Sequence, residues 1–547
     1  MIGVIASEAE HPAVVEFFEL FKTPWEFHRP GVHYDILICS NNLVPENSAR
    51  LLLVYGVQRR QPFEKYRSTK TSCAPEHNYI LFRGERIPIY GSCLLLEGLG
   101  NEVLIHKGTN SLASGTQVVV RLGFDLFAEV RHLLTQGQPR EFAKIPTLDL
   151  HISLLRELIV SQGMALVEIL PVPAGHRFIV CLTHDVDHPS VRYHKCDRTM
   201  FGFLYRATVG SVINFCRGRR SLGQVAVNWQ AALSLPLVFP GLAKDFWNQL
   251  DRYLELESGL ASTFFVIPIK GNPGVAADGR TRAGRASRYA SDDIADDLKR
   301  LLSANGEIAV HGIDAWRDSA KGRDERERVQ NITGTPESGI RMHWLYFDLQ
   351  APSILEKADF SYDSTVGYNE TIGYRAGTTQ VFKHLNVDRL LELPLHIMDT
   401  ALFYPSYMNL SDKQARAAML PLIENVTKFG GVLTINWHDR SLGPERLWGD
   451  AYATLLRDLR ARKPWFATAT QAVSWFRKRR AASFASFTKD GGGIRVQPAT
   501  DPTGADLPPL TARVYNSGTA RSSLRAVRTS TFQDFTINGT EQVLIAA

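Results

Sequence analysis

Eight residues, Cys181-Leu182-Thr183-His184-Asp185-Val186-Asp187-His188, hold the densest chemistry in the chain. An apolar run over 178–182 reads as a short buried strand, and it ends in two carboxylates and two imidazoles. Ionisable groups at a buried strand end are costly unless they are paired or bind a metal. Asp185 and Asp187 stand two apart, so an extended backbone points both to one side. Two carboxylates facing one point suit a cation, or a division of labour between metal ligand and general base.

These residues need a scaffold. From about 176 to 480 the sequence alternates strand and helix patterns, which predicts a parallel sheet with crossover helices. Strands are expected at 177–182, 262–267, 307–310, 339–343, 390–395, 431–436 and 465–468. Helices are expected at 411–428 and 444–463, with another capped by Ser291-Asp292-Asp293 and ending at Asn305-Gly306. Seven strands in this alternation predict a (β/α) barrel, complete or incomplete. Chemistry in such barrels sits at the C-terminal ends of the strands. Here those ends carry His184, Asp185 and Asp187, then His311 and Asp314, then Arg341 and His343. The later ones carry His396 and Asp399, and Trp437-His438-Asp439-Arg440. One polar mouth over an apolar barrel explains all five.

The remainder of the chain bounds the function. At 547 residues it is too long for one ordinary domain. Its 44% hydrophobic and 22% charged content fits a globular protein with a full core. The net charge of +6 is mild and the basic residues are scattered, so no nucleic-acid partner is expected. The six cysteines show no CxxC spacing, which argues against a structural zinc site and for reduced thiols in the cytoplasm. Glu8 and Glu10 break the N-terminal apolar run, no basic residues precede it, and no signal peptide is expected. No apolar run is long enough to span a membrane.

Residues 1–175 read as an α/β accessory domain, with strands at 34–39, 51–55 and 118–122 and amphipathic segments at 125–134 and 151–162. A long insertion, 189–245, reads as a helical cap on the barrel mouth. Its sharper reading is an interfacial helix whose basic flank, Arg217-Gly218-Arg219-Arg220, reaches a lipid-linked substrate. Residues 485–547, with the run Lys489-Asp490-Gly491-Gly492-Gly493, read as a small β appendage or tail.

The strand-end motifs resemble the polysaccharide deacetylase family (NodB-homology domain, carbohydrate esterase family 4). The resemblance covers about 176–480. Thr183-His184-Asp185-Val186-Asp187 is similar to the family's Thr-Phe-Asp-Asp motif, and Ser262-Thr263-Phe264-Phe265-Val266 to its second strand. Glu307-Ile308-Ala309-Val310-His311 resembles the strand leading into the metal histidine. Arg341-Met342-His343-Trp344 stands where the family has Arg-x-Pro-Tyr, and Asn436-Trp437-His438 where it has Leu-x-His. Tyr362-Asp363-Ser364-Thr365 with Gly373-Tyr374-Arg375-Ala376-Gly377 resembles members from capsule and exopolysaccharide systems. The family's second metal histidine is missing, since Ala315 and Trp316 follow His311 at its place. His343 is the candidate replacement, and Asp314 competes with it.

The resemblance implies a distorted (β/α) barrel and a hydrolase that removes acetyl groups from sugars with a divalent metal such as zinc. By carry-over, Asp185 is the general base, while Asp187, His311 and His343 hold the metal. His438 is then the general acid, Asp399 keeps its imidazole protonated, and Arg341 pairs with Asp185. Trp316, Trp344 and Trp437 are candidates for stacking on sugar rings. The implied substrate is an N-acetylated sugar of a surface polysaccharide or its precursor, free or lipid-linked, with membrane contact at most peripheral. The alternatives are a glycan-binding pseudoenzyme on the same barrel and a hydrolase of another non-peptide C–N bond.

Overall fold

The computed structural model describes the chain apart from residues 41–48, 58–68, 73–78, 97–107, 113–114, 336–337, 485–492, 498–506, 516–531, 538–542 and 547. Cys73 and most of the glycine-rich run at 489–493 therefore lie outside the described residues. The chain divides into two compact units. One comprises His176–Tyr374 and Asn386–Val473, the other Met1–Gly175, Arg375–Leu385 and Ser474–Ala547.

The first unit carries the strand-end residues. Its strands are β1 (Ile179–Val186), β2 (Ser262–Val266), β3 (Gly306–Gly312), β4 (Gly339–Met342), β5 (Tyr362–Asp363), β6 (Leu391–Glu392), β7 (Ile397–Met398), β8 (Val432–Asn436) and β9 (Trp465–Phe466). Eight of them run β6-β5-β4-β3-β2-β1-β8-β7, with β9 also paired to β1, and every one of these ladders is parallel. No ladder joins β6 to β7 among the described residues, so the sheet is a curled half-barrel and a full (β/α) barrel is not seen. All eight residues of β1 are buried, as expected for a parallel strand covered on both faces. Val180 and Leu182 pack with Leu433, Ile435 and the helices Asp412–Phe429 and Gly449–Arg460. Phe264, Val266, Ile308 and Val310 pack with the helices Ala295–Ser303, Ser319–Thr333 and Ala351–Lys357.

Because the ladders are parallel, all strand C-termini reach one rim. Register then fixes the neighbours: Thr183 lies beside Asn436, and His311 beside Arg341. Two expectations need correction. The strand expected at 390–395 is only Leu391–Glu392 (β6), because Pro394 has no N–H to donate to a ladder, and a separate short strand, β7, follows at Ile397–Met398. The helix expected to start at Ser291 begins at Ala295, after a 3-10 turn in which Asp293 Oδ2 accepts the Ala290 N–H (3.0 Å). The insertion forms three helices, α1 (Arg198–Ala207), α2 (Val209–Cys216) and α3 (Leu222–Val238), which pack on one another. Asp197 caps α1 and Ser221 caps α3, each through a backbone N–H.

In the second unit, the strands Trp25–Phe27, Ile2–Ile5, Tyr34–Cys39, Ala49–Tyr55 and Gly115–Leu122 form a parallel sheet in that order, edged by antiparallel Gly108–Leu112. Leu510–Tyr515 pairs antiparallel with Leu166–Ile169, so the chain returns to complete a sheet begun by the N-terminal residues.

Candidate active site

Asp187, just past β1, meets His311 at the end of β3 and His343 just past β4. One ligand atom from each lies within 4.8 Å of the others. His311 Nε2 is 3.4 Å and His343 Nε2 3.6 Å from Asp187 Oδ1. Two observations show that this trio fits a divalent cation. His311 Nδ1 donates to the Arg341 carbonyl (2.9 Å), which fixes the tautomer and leaves the Nε2 lone pair facing Asp187. Asp187 Oδ1 and His343 Nδ1 are buried without a hydrogen-bond partner. Burial pushes the His343 imidazole down to about 3, so it stands as a neutral donor. Burial pushes the Asp187 carboxyl up, but the rings of His311, His343 and His438 more than offset this and hold it well below its usual range. Two imidazoles and one carboxylate with space for water form a donor set suited to catalytic zinc.

Asp314 does not join them. Its Oδ2 is 3.0 Å from Lys321 Nζ and its Oδ1 accepts the Val275 N–H (3.0 Å).

Asp185 sits deeper. Arg341 Nη1 donates to its Oδ1 (2.9 Å) and Asn436 Nδ2 to its Oδ2 (2.7 Å). Burial raises the carboxyl, but the Arg341 guanidinium first, with the neighbouring imidazoles, outweighs burial and holds it below the ordinary value. Arg341 is itself fully buried, bonded to Thr183 Oγ1, Ser364 O and Ser364 Oγ, and lies over the Phe265 ring. Truncating one partner of a buried pair strands the other charge. Arg341→Met is therefore expected to lower the unfolding free energy by about 3–5 kcal/mol, read by denaturant titration. A loss below about 1 kcal/mol, typical of an exposed pair, would show that Asp185 does not depend on it.

His438 follows β8. Its Nδ1 donates to Asp399 Oδ1 (2.6 Å), and its Nε2 faces the trio at 3.9 Å from Asp187 Oδ2. Asp399 also accepts from the His438 N–H (2.8 Å) and from Ser441 Oγ (2.5 Å). Burial opposes a charged imidazole, but Asp399, then Asp187 and Asp185, raise it to about 10. At neutral pH His438 is thus an imidazolium with its Nε2 proton turned toward the cluster.

Asp185, Asp187, His311, His343 and His438 all line one cavity of ≈ 710 Å³. Arg341 and Asp399 stand behind it, each bonded to a lining residue. Of the three tryptophans, only Trp344 lines it; Trp316 and Trp437 are buried in the two cores. His184 and His188 do no ligating. His184 Nδ1 donates to the Trp437 carbonyl (2.8 Å), and His188 turns to His194 (3.1 Å). Arg440, from the strand-end run Trp437-His438-Asp439-Arg440, also lines the cavity, as do Arg285 and Arg446, which the sequence did not single out. The latter two lie in loops without a periodic pattern, so spacing gave no signal for them. Asn436 was legible only as the first residue of the Asn436-Trp437-His438 motif.

No family model matches the sequence. No curated protein matches it either. Several solved structures are similar. One is a Mycobacterium smegmatis chain described as a polysaccharide deacetylase, at 16% identity and TM-score 0.35, covering 59% of this chain and 99% of that one. Another is the peptidoglycan deacetylase PdaC of Bacillus subtilis, at 11% identity and TM-score 0.26, covering 55% and 93%. A third is the PuuE allantoinase, at 14% identity and TM-score 0.33, covering 55% and 91%. The solved structures to which this chain is similar thus include polysaccharide deacetylases of carbohydrate esterase family 4, at low identity and over part of its length.

Proposed function

We propose that this chain is a metal-dependent hydrolase that removes acetyl groups from N-acetylated sugars of a surface polysaccharide or its precursor. One observation carries the proposal: a buried carboxylate, a three-residue donor set and an imidazolium converge on one cavity. Amide hydrolysis asks for a base, a polarised carbonyl and a proton for the leaving nitrogen. The motif resemblance supports the choice of an acetylated sugar.

Asp187, His311 and His343 would hold the ion, which we take to be zinc. When bound, it supplies a more acidic water and polarises the acyl oxygen. Asp185, ionised and fixed by Arg341 and Asn436, takes the proton of the attacking water. The water oxygen joins the acyl carbon and the C–N bond breaks. His438 Nε2–H gives its proton to the departing nitrogen while Asp399 holds the ring, and acetate and a free amine result. Arg440 Nε and Nη1 are buried without hydrogen-bond partners at the cavity wall, which favours a glycan bearing negative charge.

No described helix is long and apolar enough to cross a membrane. We place the reaction in the cytoplasm, on a precursor of the polymer. The test is acetate release from a panel of N-acetylated oligosaccharides, neutral and acidic, by the purified zinc-loaded protein. Stoichiometric acetate and free amine are expected. Sugar binding without acetate from any member would favour the pseudoenzyme.

A further inference from the structure

The apolar surface of this protein is concentrated in one place. Of the eighteen large apolar side chains exposed among the described residues, twelve lie between Phe201 and Leu242 on the three-helix insertion. Leu233 is 76% exposed, Leu242 78%, Leu222 68% and Phe201 60%. The opposite side of the same helices is an ordinary core, in which Met200, Phe203, Ala231, Leu235 and Val238 pack with Trp247. The insertion thus has two apolar faces, and one of them meets solvent. So many exposed apolar side chains on one small helical unit mark an interaction surface.

Charge selects the partner. Between Arg198 and Lys244 the sequence holds six Lys and Arg and no Asp or Glu. That segment alone matches the net charge of the whole chain, +6. Arg206 is neutralised from outside the segment by Glu445 (2.8 Å) and Lys244 approaches Asp251 (3.7 Å), but Arg198, Arg217 and Arg219 are exposed and enter no ion pair among the described residues. Tyr205, Phe215 and Trp229 stand exposed among the aliphatic residues. Aromatic rings and arginines around an apolar face suit the headgroup boundary of a bilayer. A second copy of the chain suits it poorly, because a two-fold contact would set this cationic face against itself.

We propose that the outer face of α1–α3 docks the protein on the surface of an anionic membrane. It lies in the interface without crossing it. The face is tied to the cavity rim: Thr199 of α1 lines the cavity, and Arg220 Nη2 donates to the Arg446 carbonyl (3.1 Å). Docking would therefore set the cavity mouth close to the lipid, where a lipid-linked glycan presents its sugars. The inference stands on the exposed face and its charge, independently of the hydrolysis proposed above.

The test is flotation of the full chain with vesicles of phosphatidylcholine and phosphatidylglycerol in equal parts, against phosphatidylcholine alone. Wild type is expected to float with the anionic vesicles and to be released as salt rises. The variant Phe201→Glu/Leu233→Glu/Leu237→Glu, checked for folding by circular dichroism, is expected to float at least fivefold less. Arg217→Gln/Arg219→Gln is expected to weaken flotation on anionic vesicles selectively. Acetate release from a soluble oligosaccharide should be unchanged in both variants, which separates this inference from the catalytic one. Wild type that stays unbound at low salt, or a triple variant that floats equally well, would overturn the inference. So would a wild-type dimer that the triple variant makes monomeric without any flotation.

Discussion

Asp185→Asn is expected to lower acetate release by about a hundred- to ten-thousandfold, the usual contribution of a positioned base. The substitution is nearly isosteric and leaves the Asp187, His311 and His343 donors in place, so metal content should not change. What it removes is the proton acceptor. Asp185 has no substitute at its position: Asp187 belongs to the donor trio, and Asp399 lies behind His438, bonded to its Nδ1. The ionised state of Asp185 is secured by Arg341, Asn436 and nearby imidazoles, so its activity should not fade in mildly acidic solution through loss of this base. Single-turnover acetate release with matched zinc loading measures the effect. Full activity in the variant would remove Asp185 from the base role.

Asp399→Asn is expected to move the alkaline limb of the pH–rate profile by several pH units, from near 10 toward neutrality. The general acid must be protonated, and the protonated fraction of His438 falls as pH rises through its pKa, about 10 in the native site. Burial alone would lower that value. Asp399 is the largest of the groups that raise it, so its loss lets burial win and the imidazole becomes neutral at lower pH. At pH 6 the variant keeps more of its activity than at pH 9, while wild type changes little between the two. An unshifted limb would mean that the proton for the leaving nitrogen comes from elsewhere.

The sequence made the scaffold visible for a specific reason. A parallel strand buried on both faces is written as an unbroken apolar run, and its end is marked where the run stops at ionisable residues. β8 follows that rule, with His438 just past its end, whereas β1 runs on beyond the apolar stretch through Thr183, His184 and Asp185 to Val186, with Asp187 next to it. Spacing could not decide between His343 and Asp314, because both follow a strand at one rim. The structure separates them through a residue beyond both motifs: Lys321, near the start of the helix Ser319–Thr333, meets Asp314, while Val275 adds a backbone N–H. Asn436 and Ser364, which hold Asp185 and Arg341, were hard to single out since short polar residues at strand ends are common. The return of 510–515 to pair with 166–169 was not legible at all, because pairing over that separation leaves no local pattern.

The bound metal of the purified protein tests the site most directly, since it does not depend on finding the substrate. Elemental analysis after exhaustive dialysis should give one divalent ion per chain, zinc when zinc is offered. Asp187→Ala, His311→Ala and His343→Ala should each lose it, whereas Asp314→Ala should retain it. A chain that binds no ion, or a His343→Ala variant that keeps one while Asp314→Ala loses it, would contradict the proposed centre.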